Sequence, residues 1–154
     1  MILYHGTNEQ FTDIDLSKSR VGKDFGAGFY LTPEEAVAKR QGQRKYAQFG
    51  SGSPTVMAFN WQPTEELSIL KFDHYCLEWA EFILLNRNNK TRIQKHQFDV
   101  VIGPIADDTV GFQIRRFEDG IISMNQFLEE IKYNVVTIQY LFATEKAIST
   151  LQPL

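Results

Sequence analysis

Apolar and β-branched residues occur in short runs along the chain, and polar turns or helix-like patterns separate the runs. The alternation is clearest in the segment 135–142, where every second side chain from Val136 to Phe142 is apolar and Gln139 lies on the other face. The segment 98–105 is apolar without interruption, which is typical of a strand buried on both faces. Strands are predicted over 2–5, 28–32, 55–60, 67–72, 98–105 and 135–142.

Helix starts are indicated by residues that cap the free N–H groups of a first turn. Two segments have the pattern of a capping box, with a hydroxyl residue followed three positions later by Glu or Gln. Single acidic or hydroxyl residues mark the other starts. The predicted N-caps are Thr32, Asp73, Asp108, Ser123 and Thr144. These helices do not regularly connect successive strands, so we predict an α+β fold instead of a doubly wound parallel sheet.

Composition narrows the class of protein. The chain has 154 residues, of which 43% are hydrophobic and 13% aromatic, so disordered and fibrous classes are excluded and one domain over 1–154 is predicted. The net charge of −3 argues against a protein that wraps nucleic acid through many phosphate contacts.

The cellular location is indicated by the number of cysteines and by the length of the apolar runs. Cys76 is the only cysteine and cannot form an internal disulfide. No apolar run approaches the roughly 18 residues of a membrane span, and the first residues do not resemble a signal peptide. We therefore expect a cytoplasmic protein without a membrane partner.

Common cofactor motifs do not explain the chain. No Walker A sequence is present, and the glycines at 22, 26 and 28 precede a predicted strand, whereas a dinucleotide fingerprint opens a helix. The histidines His5, His74 and His96 stand far apart and lack ligand spacing, so no metal site is predicted.

Three other segments are unusual when taken together. They are Tyr4-His5-Gly6-Thr7 at the end of the first strand, Phe25–Thr32 around the second, and Gln139 on the last. This arrangement resembles the ADP-ribosyltransferases of the diphtheria-toxin and poly(ADP-ribose) polymerase type. Segments 23–32, 86–87, 98–108 and 139–147 also resemble a bacterial domain family without a settled function. That family is grouped with these transferases and is often encoded beside a small antitoxin-like protein.

The resemblance implies an ADP-ribosyltransferase-like split antiparallel β-sheet with flanking helices. It also implies NAD⁺ as the donor, cleavage of the nicotinamide–ribose bond and transfer of ADP-ribose to a protein or nucleic acid. A bacterial mono-ADP-ribosyltransferase that acts as an intracellular toxin and is checked by an antitoxin is the resulting hypothesis. Two alternatives stay open: an NAD⁺ glycohydrolase, and a nucleotide-binding or interaction module of the same fold without turnover.

The resemblance also implies roles for individual residues. His5 would bind a ribose hydroxyl through a neutral ring nitrogen, Gly6 would bind the nicotinamide amide through its backbone, and Tyr30 would stack on the nicotinamide ring. Arg20 and Lys23 are candidates for the pyrophosphate. The expected binding residues are His5, Gly6, Thr7, Arg20, Lys23, Tyr30 and Thr32, and the expected catalytic residues are His5, Tyr30 and Gln139. Purely structural roles are the alternative for each of these residues. His5 would then be a strand-end histidine, Tyr30 a core residue, and Arg20 and Lys23 part of a solvated charged loop.

Two positions depart from the transferase pattern. Gln139 stands where the diphtheria-toxin type has a glutamate, and an amide provides a dipole and two donors but neither charge nor a general base. The position of the second stacking aromatic holds Gln41, which leaves Tyr46 or Phe49 as candidates. Asp107, after the buried strand, is a candidate for contact with the acceptor.

Overall fold

The computed structural model describes residues Met1–Leu154 and has α+β architecture, as predicted from the sequence. Seven strands are formed: β1 (Ile2–Thr7), β2 (Phe29–Leu31), β3 (Thr55–Trp61), β4 (Ile69–Lys71), β5 (Val100–Pro104), β6 (Ile138–Phe142) and β7 (Leu151–Pro153). Five α-helices accompany them: α1 (Glu35–Phe49), α2 (Leu77–Arg87), α3 (Asp108–Glu118), α4 (Met124–Ile131) and α5 (Glu145–Ile148). A single 3₁₀ turn spans Leu16–Lys18.

The strands form two sheets that meet at one point. One sheet is antiparallel with the order β1-β3-β7, and the other has four strands in the order β2-β6-β5-β4. The two are connected where Tyr4 of β1 and Thr32, just after β2, exchange backbone hydrogen bonds of 2.8 and 2.9 Å. The expectation of an antiparallel sheet is wrong in one place, because β4 and β5 run parallel, with α2 in the connection between them.

Two apolar clusters hold the sheets in place. The first fills the space between the four-stranded sheet and helices α2, α3 and α4, and it contains Trp79, Val101, Ile114 and Leu141. The second lies between the two sheets and contains Leu3, Phe59, Val100, Ile102 and Phe142. Successive residues of β5 therefore enter opposite clusters, which explains why its sequence is apolar without interruption.

Helix α1 packs directly on the backbone of β1. A Cβ atom on Gly6 would overlap the carbonyl oxygen of Ala38 and lie 2.7 Å from the backbone nitrogen of Gly42. Both Ala38 and Gly42 are buried on α1. Only a residue without a side chain allows this approach of helix and strand. Gly6 therefore has a packing role in addition to any contact between its backbone and a ligand.

Three of the predicted caps are wrong. Thr32 does not cap α1, whose N-cap is Glu34 without a side-chain bond; the Thr32 hydroxyl instead donates to the carbonyl of Ile138 at 3.1 Å. Helix α2 begins four residues after Asp73 and is capped by the Cys76 sulfur, which accepts from the backbone N–H of Trp79 at 3.4 Å. The cap of α3 is Asp107 and not its neighbour, so Asp107 has a structural role.

The remaining caps are confirmed. Ser123 and Gln126 form the predicted capping box of α4, and Thr144 caps α5. Strand β7 was missed because it contains three residues and a proline, and it exists only by pairing with the edge of β3 at Trp61 and Phe59. No helix in the structure combines the length and apolar character needed to cross a bilayer.

Candidate functional site

A cleft of about 600 Å³ opens beside the point where the two sheets meet. Its floor is formed by the end of β1 and the start of β2, and its walls by the segment 8–23 and the last turns of α1. Of the residues predicted to bind a ligand, five line the cleft: His5, Thr7, Arg20, Lys23 and Tyr30. The side chains of Thr32 and Gln139 are buried elsewhere in the fold, and Gly6 contacts α1.

His5 is held in a defined orientation at the floor of the cleft. Its Nδ1 lies 2.7 Å from the carbonyl oxygen of Tyr30, so Nδ1 carries the proton and Nε2 is left as an acceptor. The imidazole packs on the Phe29 ring with centroids 4.3 Å apart, and Phe11 meets it edge-on. Burial, followed by the nearby Lys45 ammonium, lowers the pKa of His5 to about 3. The histidine is therefore neutral at physiological pH.

Tyr30 contributes to the cleft in a different way from the expectation. Its hydroxyl donates to the carbonyl of Gly26 at 2.6 Å and accepts from the backbone N–H of Phe25 at 3.0 Å. The ammonium of Lys23 lies 4.8 Å from the centroid of the Tyr30 ring. Burial raises the pKa of Tyr30, so it stays protonated. A ligand that stacks on this ring must first displace Lys23.

Phe29 and Tyr30 enter opposite apolar clusters, as the alternation of a strand predicts. Both residues nevertheless contribute atoms to the cleft. His5 lies on the Phe29 side of the strand and reaches Tyr30 only through the backbone carbonyl. The two side chains therefore approach a common ligand from different directions.

Four cations line the cleft: Lys18, Arg20, Lys23 and Lys45. None of them has a carboxylate within ion-pair distance. Burial and the charges of Lys23 and Arg20 lower the pKa of Lys45 to about 8, and burial followed by Arg20 lowers the pKa of Lys23. Their mutual repulsion makes the cleft attractive to an anion.

Lys45 was not singled out from the sequence, although a signal was present. It lies seven positions after Ala38 and three after Gly42, the two small residues on the β1-facing side of α1. Residues at these spacings share a helix face, so a lysine on that stripe points toward the strand. Its Nζ donates to the carbonyl of Gly6 at 2.8 Å.

Phe49 is the better candidate for the second aromatic of the cleft. It lines the cleft from the last turn of α1, and the Arg20 guanidinium lies 4.9 Å from its ring centroid. Tyr46 is exposed and does not line the cleft. An aromatic ring beside a guanidinium provides a surface for a base or another flat group.

The segment after α2 holds the loop that carries Lys23. Gln94 bonds both the N–H and the carbonyl of Ala27, at 3.3 and 2.8 Å, and His96 Nε2 donates to the carbonyl of Phe25 at 2.7 Å. At the end of α2, Arg87 pairs with Asp24 at 2.7 Å. These contacts order the loop before β2, and sequence reasoning did not identify them because the partners lie more than 60 residues apart.

Gln139 has an unusual environment for a buried amide. On β6, Gln139 is paired with Gly103 of the neighbouring strand β5. Only 9% of its surface is exposed, and its Nε2 has no hydrogen-bond partner. Leu141, two residues later, is paired with Tyr30, so Gln139 is on the Tyr30 face of the sheet. It does not line the cleft. An unsatisfied buried donor is costly, which draws attention to this position.

Thr7 lines the cleft, but its hydroxyl is used locally. It donates to the carbonyl of Glu9 at 3.0 Å and accepts from the N–H of the same residue. These two bonds form a turn that directs the chain from β1 into the cleft wall. Thr7 and Thr32 are thus both engaged in the fold.

Fold and site together define an α+β domain with a cation-rich cleft where two sheets meet, built around a neutral histidine. The chain belongs to the family described as "protein of unknown function (DUF3990)", whose model matches residues 1–152. A search of curated proteins finds no match to the chain.

Proposed function

We propose that this protein is an NAD⁺-dependent mono-ADP-ribosyltransferase with an ADP-ribosyltransferase-like fold. The observation that carries the proposal is the state of His5 in the cleft. Its Nδ1–H is fixed by the Tyr30 carbonyl, and its Nε2 is a neutral acceptor beside Lys45. A ribose hydroxyl is a donor of the required kind, and the resemblance to the transferases assigns this contact to the same residue.

The other cleft residues suit a dinucleotide. Arg20 and Lys23 offer two positive charges, which match the two negative charges of a pyrophosphate. The rings of Tyr30 and Phe49 each carry a cation on one face, and a flat aromatic or positively charged group would stack there in place of that cation. Nicotinamide on Tyr30 would take the place of the Lys23 ammonium.

Cleavage of the nicotinamide–ribose bond leaves positive charge on the sugar, which a cation-rich cleft does not stabilise by itself. The carboxylates of Glu9, Asp13 and Asp15 also line the cleft, from the same segment 8–23 that carries Arg20 and Lys23. Gln139 adds no charge and is buried outside the cleft, so an orienting contact of its unpaired Nε2 with a ribose hydroxyl requires the fold beside Tyr30 to open locally.

The acceptor belongs to the same proposal. A protein side chain or a nucleic-acid group takes the ADP-ribose, and a small antitoxin-like protein limits the reaction. Action in the cytoplasm is supported by the single cysteine, Cys76, because a chain that does not rely on a disulfide is typical of a reducing compartment.

A second candidate is a nucleotide-binding module without turnover. It is favoured by Gln139, because an uncharged residue buried outside the cleft offers neither a general base nor a charge for the sugar cation. This candidate keeps the same ligand and the same roles for His5, Arg20 and Lys23.

One pair of measurements separates these functions. The protein is incubated with NAD⁺, and nicotinamide release and the melting temperature are followed for wild type, H5A and the exposed control H74A. Release that is lost in H5A and kept in H74A supports the transferase, and label from NAD⁺ on a macromolecule separates transfer from hydrolysis. Stabilisation by NAD⁺ without release supports the binding module. If NAD⁺ is neither bound nor consumed, both candidates are wrong.

A further inference from the structure

Lys45 is the one cleft cation that lies directly against His5. Its Nζ donates to the carbonyl of Gly6 at 2.8 Å and lies 3.5 Å from His5 Nε2. Because Nδ1 of His5 is engaged with Tyr30, Nε2 is the atom that would accept from a ribose hydroxyl. The amine of Lys45 therefore lies beside the atom that is expected to bind the sugar.

The environment of Lys45 differs from that of the other lysine on the same helix. Lys39 is exposed and pairs with Glu35 at 3.3 Å, one turn away. Lys45 is partly buried and has no carboxylate within 4.0 Å; the charged and titratable groups facing it are His5 from β1 and Arg20 and Lys23 from the cleft wall. Nothing in the cleft holds its ammonium form by an ion pair.

This environment increases the nucleophilic character of the amine. Burial, followed by the charges of Lys23 and Arg20, brings the pKa of Lys45 to about 8. A lysine at its ordinary pKa is almost entirely protonated near neutrality, whereas this one has an appreciable free-amine fraction there. That fraction grows as the pH rises through 8, because the neutral form is the deprotonated one.

We propose that Lys45 is a site of covalent self-modification, at which its Nζ takes ADP-ribose from NAD⁺ bound in the cleft. This inference rests on the proposed function. The neutral Nζ forms a bond to C1′ of the nicotinamide-bearing ribose as the bond from C1′ to the nicotinamide nitrogen breaks. Nicotinamide leaves with that electron pair, and the new secondary ammonium can release one proton to water. No oxidant or further reactant is needed.

The modification has a consequence for the cleft. The adduct occupies the space beside His5 and removes the contact of a free ammonium with Gly6. A molecule modified at Lys45 would therefore be closed to a second NAD⁺, so that modification limits the activity of the protein that carries it.

Peptide mapping by mass spectrometry after incubation with NAD⁺ tests the proposal, with nicotinamide release followed in the same samples. We expect ADP-ribose on the peptide containing Lys45, increasing several-fold from pH 7 to pH 9. The adduct should be lost in K45R, which keeps the charge but cannot supply a neutral amine in this range, and be retained in K39R. Nicotinamide release without an adduct at Lys45 overturns the inference and leaves the proposed function standing.

A second measurement does not depend on turnover. ADP-ribose has a reducing sugar, whose aldehyde form condenses with a free amine to an imine and water, and cyanoborohydride reduces the imine to a stable amine. If Lys45 has the reactivity inferred here, it is labelled by ADP-ribose and cyanoborohydride at least several-fold faster than Lys39, and excess unreactive ADP suppresses the labelling. Equal labelling of the two lysines overturns the inference, even if no nicotinamide is ever released.

Discussion

The carbonyl oxygen of Tyr30 accepts the Nδ1–H of His5 at 2.7 Å, across the junction between the two sheets. This bond lies next to the Tyr4–Thr32 bridge and gives β1 and β2 a side-chain connection in addition to their backbone one. It also decides the tautomer of His5, because a carbonyl only accepts. The acceptor nitrogen therefore faces the cleft in the absence of any ligand.

Replacing His5 by alanine should weaken NAD⁺ binding by roughly tenfold, the value of about one hydrogen bond. The physical reason is the loss of the Nε2 acceptor beside Lys45. Titration calorimetry of H5A and of H74A, whose histidine is exposed, measures the change. Equal affinities for wild type and H5A would show that Nε2 is not a ligand contact.

Removing the hydroxyl of Tyr30 should destabilise the loop before β2. In Y30F the backbone N–H of Phe25 and carbonyl of Gly26 lose their shared partner, which costs roughly 1–3 kcal/mol. Urea unfolding of Y30F and of Y133F, where the tyrosine is 88% exposed, provides the comparison. A free energy of unfolding for Y30F that matches Y133F would contradict the assigned role of these bonds.

Gly6 should not tolerate a methyl group. In G6A the new Cβ overlaps the Ala38 carbonyl, so α1 must move away from β1, and we expect a loss of several kcal/mol or failure to fold. The matched control is G111A on α3, where the nearest atom to a Cβ is the end of the Arg115 side chain at 3.8 Å. G111A should be neutral or more stable by up to about 1 kcal/mol. Thermal unfolding of the two variants distinguishes the positions.

Gln139 should separate stability from function. In Q139M an unsatisfied buried amide N–H is removed at similar volume, so the free energy of unfolding should rise by roughly 1 kcal/mol. If the amide orients a ribose, nicotinamide release should fall in the same variant although the protein is more stable. A variant that is less stable and fully active would oppose both expectations.

Asp99 should make the free energy of unfolding depend on pH in the acidic range. Burial alone would raise its pKa, but hydrogen bonds from Ser68 and Thr144 and the Lys146 ammonium, 3.1 Å away, hold the pKa at about 2. Since this is below the ordinary value of 3.8, the stabilisation is fully present above about pH 4 and is lost as the pH falls toward 2.

D99N should therefore be less stable than wild type at pH 6, by roughly 1–3 kcal/mol, and the difference should shrink at pH 2.5. Denaturant unfolding at the two pH values measures this difference. D73N is the control, because the Asp73 carboxylate is exposed and lies 3.6 Å from Lys71 in the wild type. Its stability should differ little from that of the wild type at either pH. A pH-independent difference for D99N would indicate that ionisation of Asp99 does not contribute.

The structure confirms those predictions that rest on local patterns. The apolar run of β5 predicted its burial and the Ser123 capping box marked the start of α4, because strand faces and helix caps depend on neighbouring residues. The alternation along β6 predicted a strand but not its buried face, since Gln139 and Leu141 are buried and Tyr140 only partly so. The cap expected at Thr32 was wrong because the helix begins later, with Glu34 as its N-cap. The Thr32 oxygen accepts from the Glu34 N–H, and its hydroxyl donates to the carbonyl of Ile138, which is distant in sequence.

The candidate site divides in the same way. Motif resemblance proposed His5 and Tyr30, and Arg20 and Lys23 were candidates from the segment between the two motifs. The sequence also determined the α+β class through its pattern of strands and helices. Helix spacing alone places Lys45 on the stripe that faces β1, but its contact with Gly6, the neutral state of His5 and the burial of Gln139 outside the cleft come only from the tertiary structure. Those properties arise from desolvation and from the distances between charges. Both are decided by which elements pack together, such as α1 on β1 through Gly6, and not by the order of residues alone.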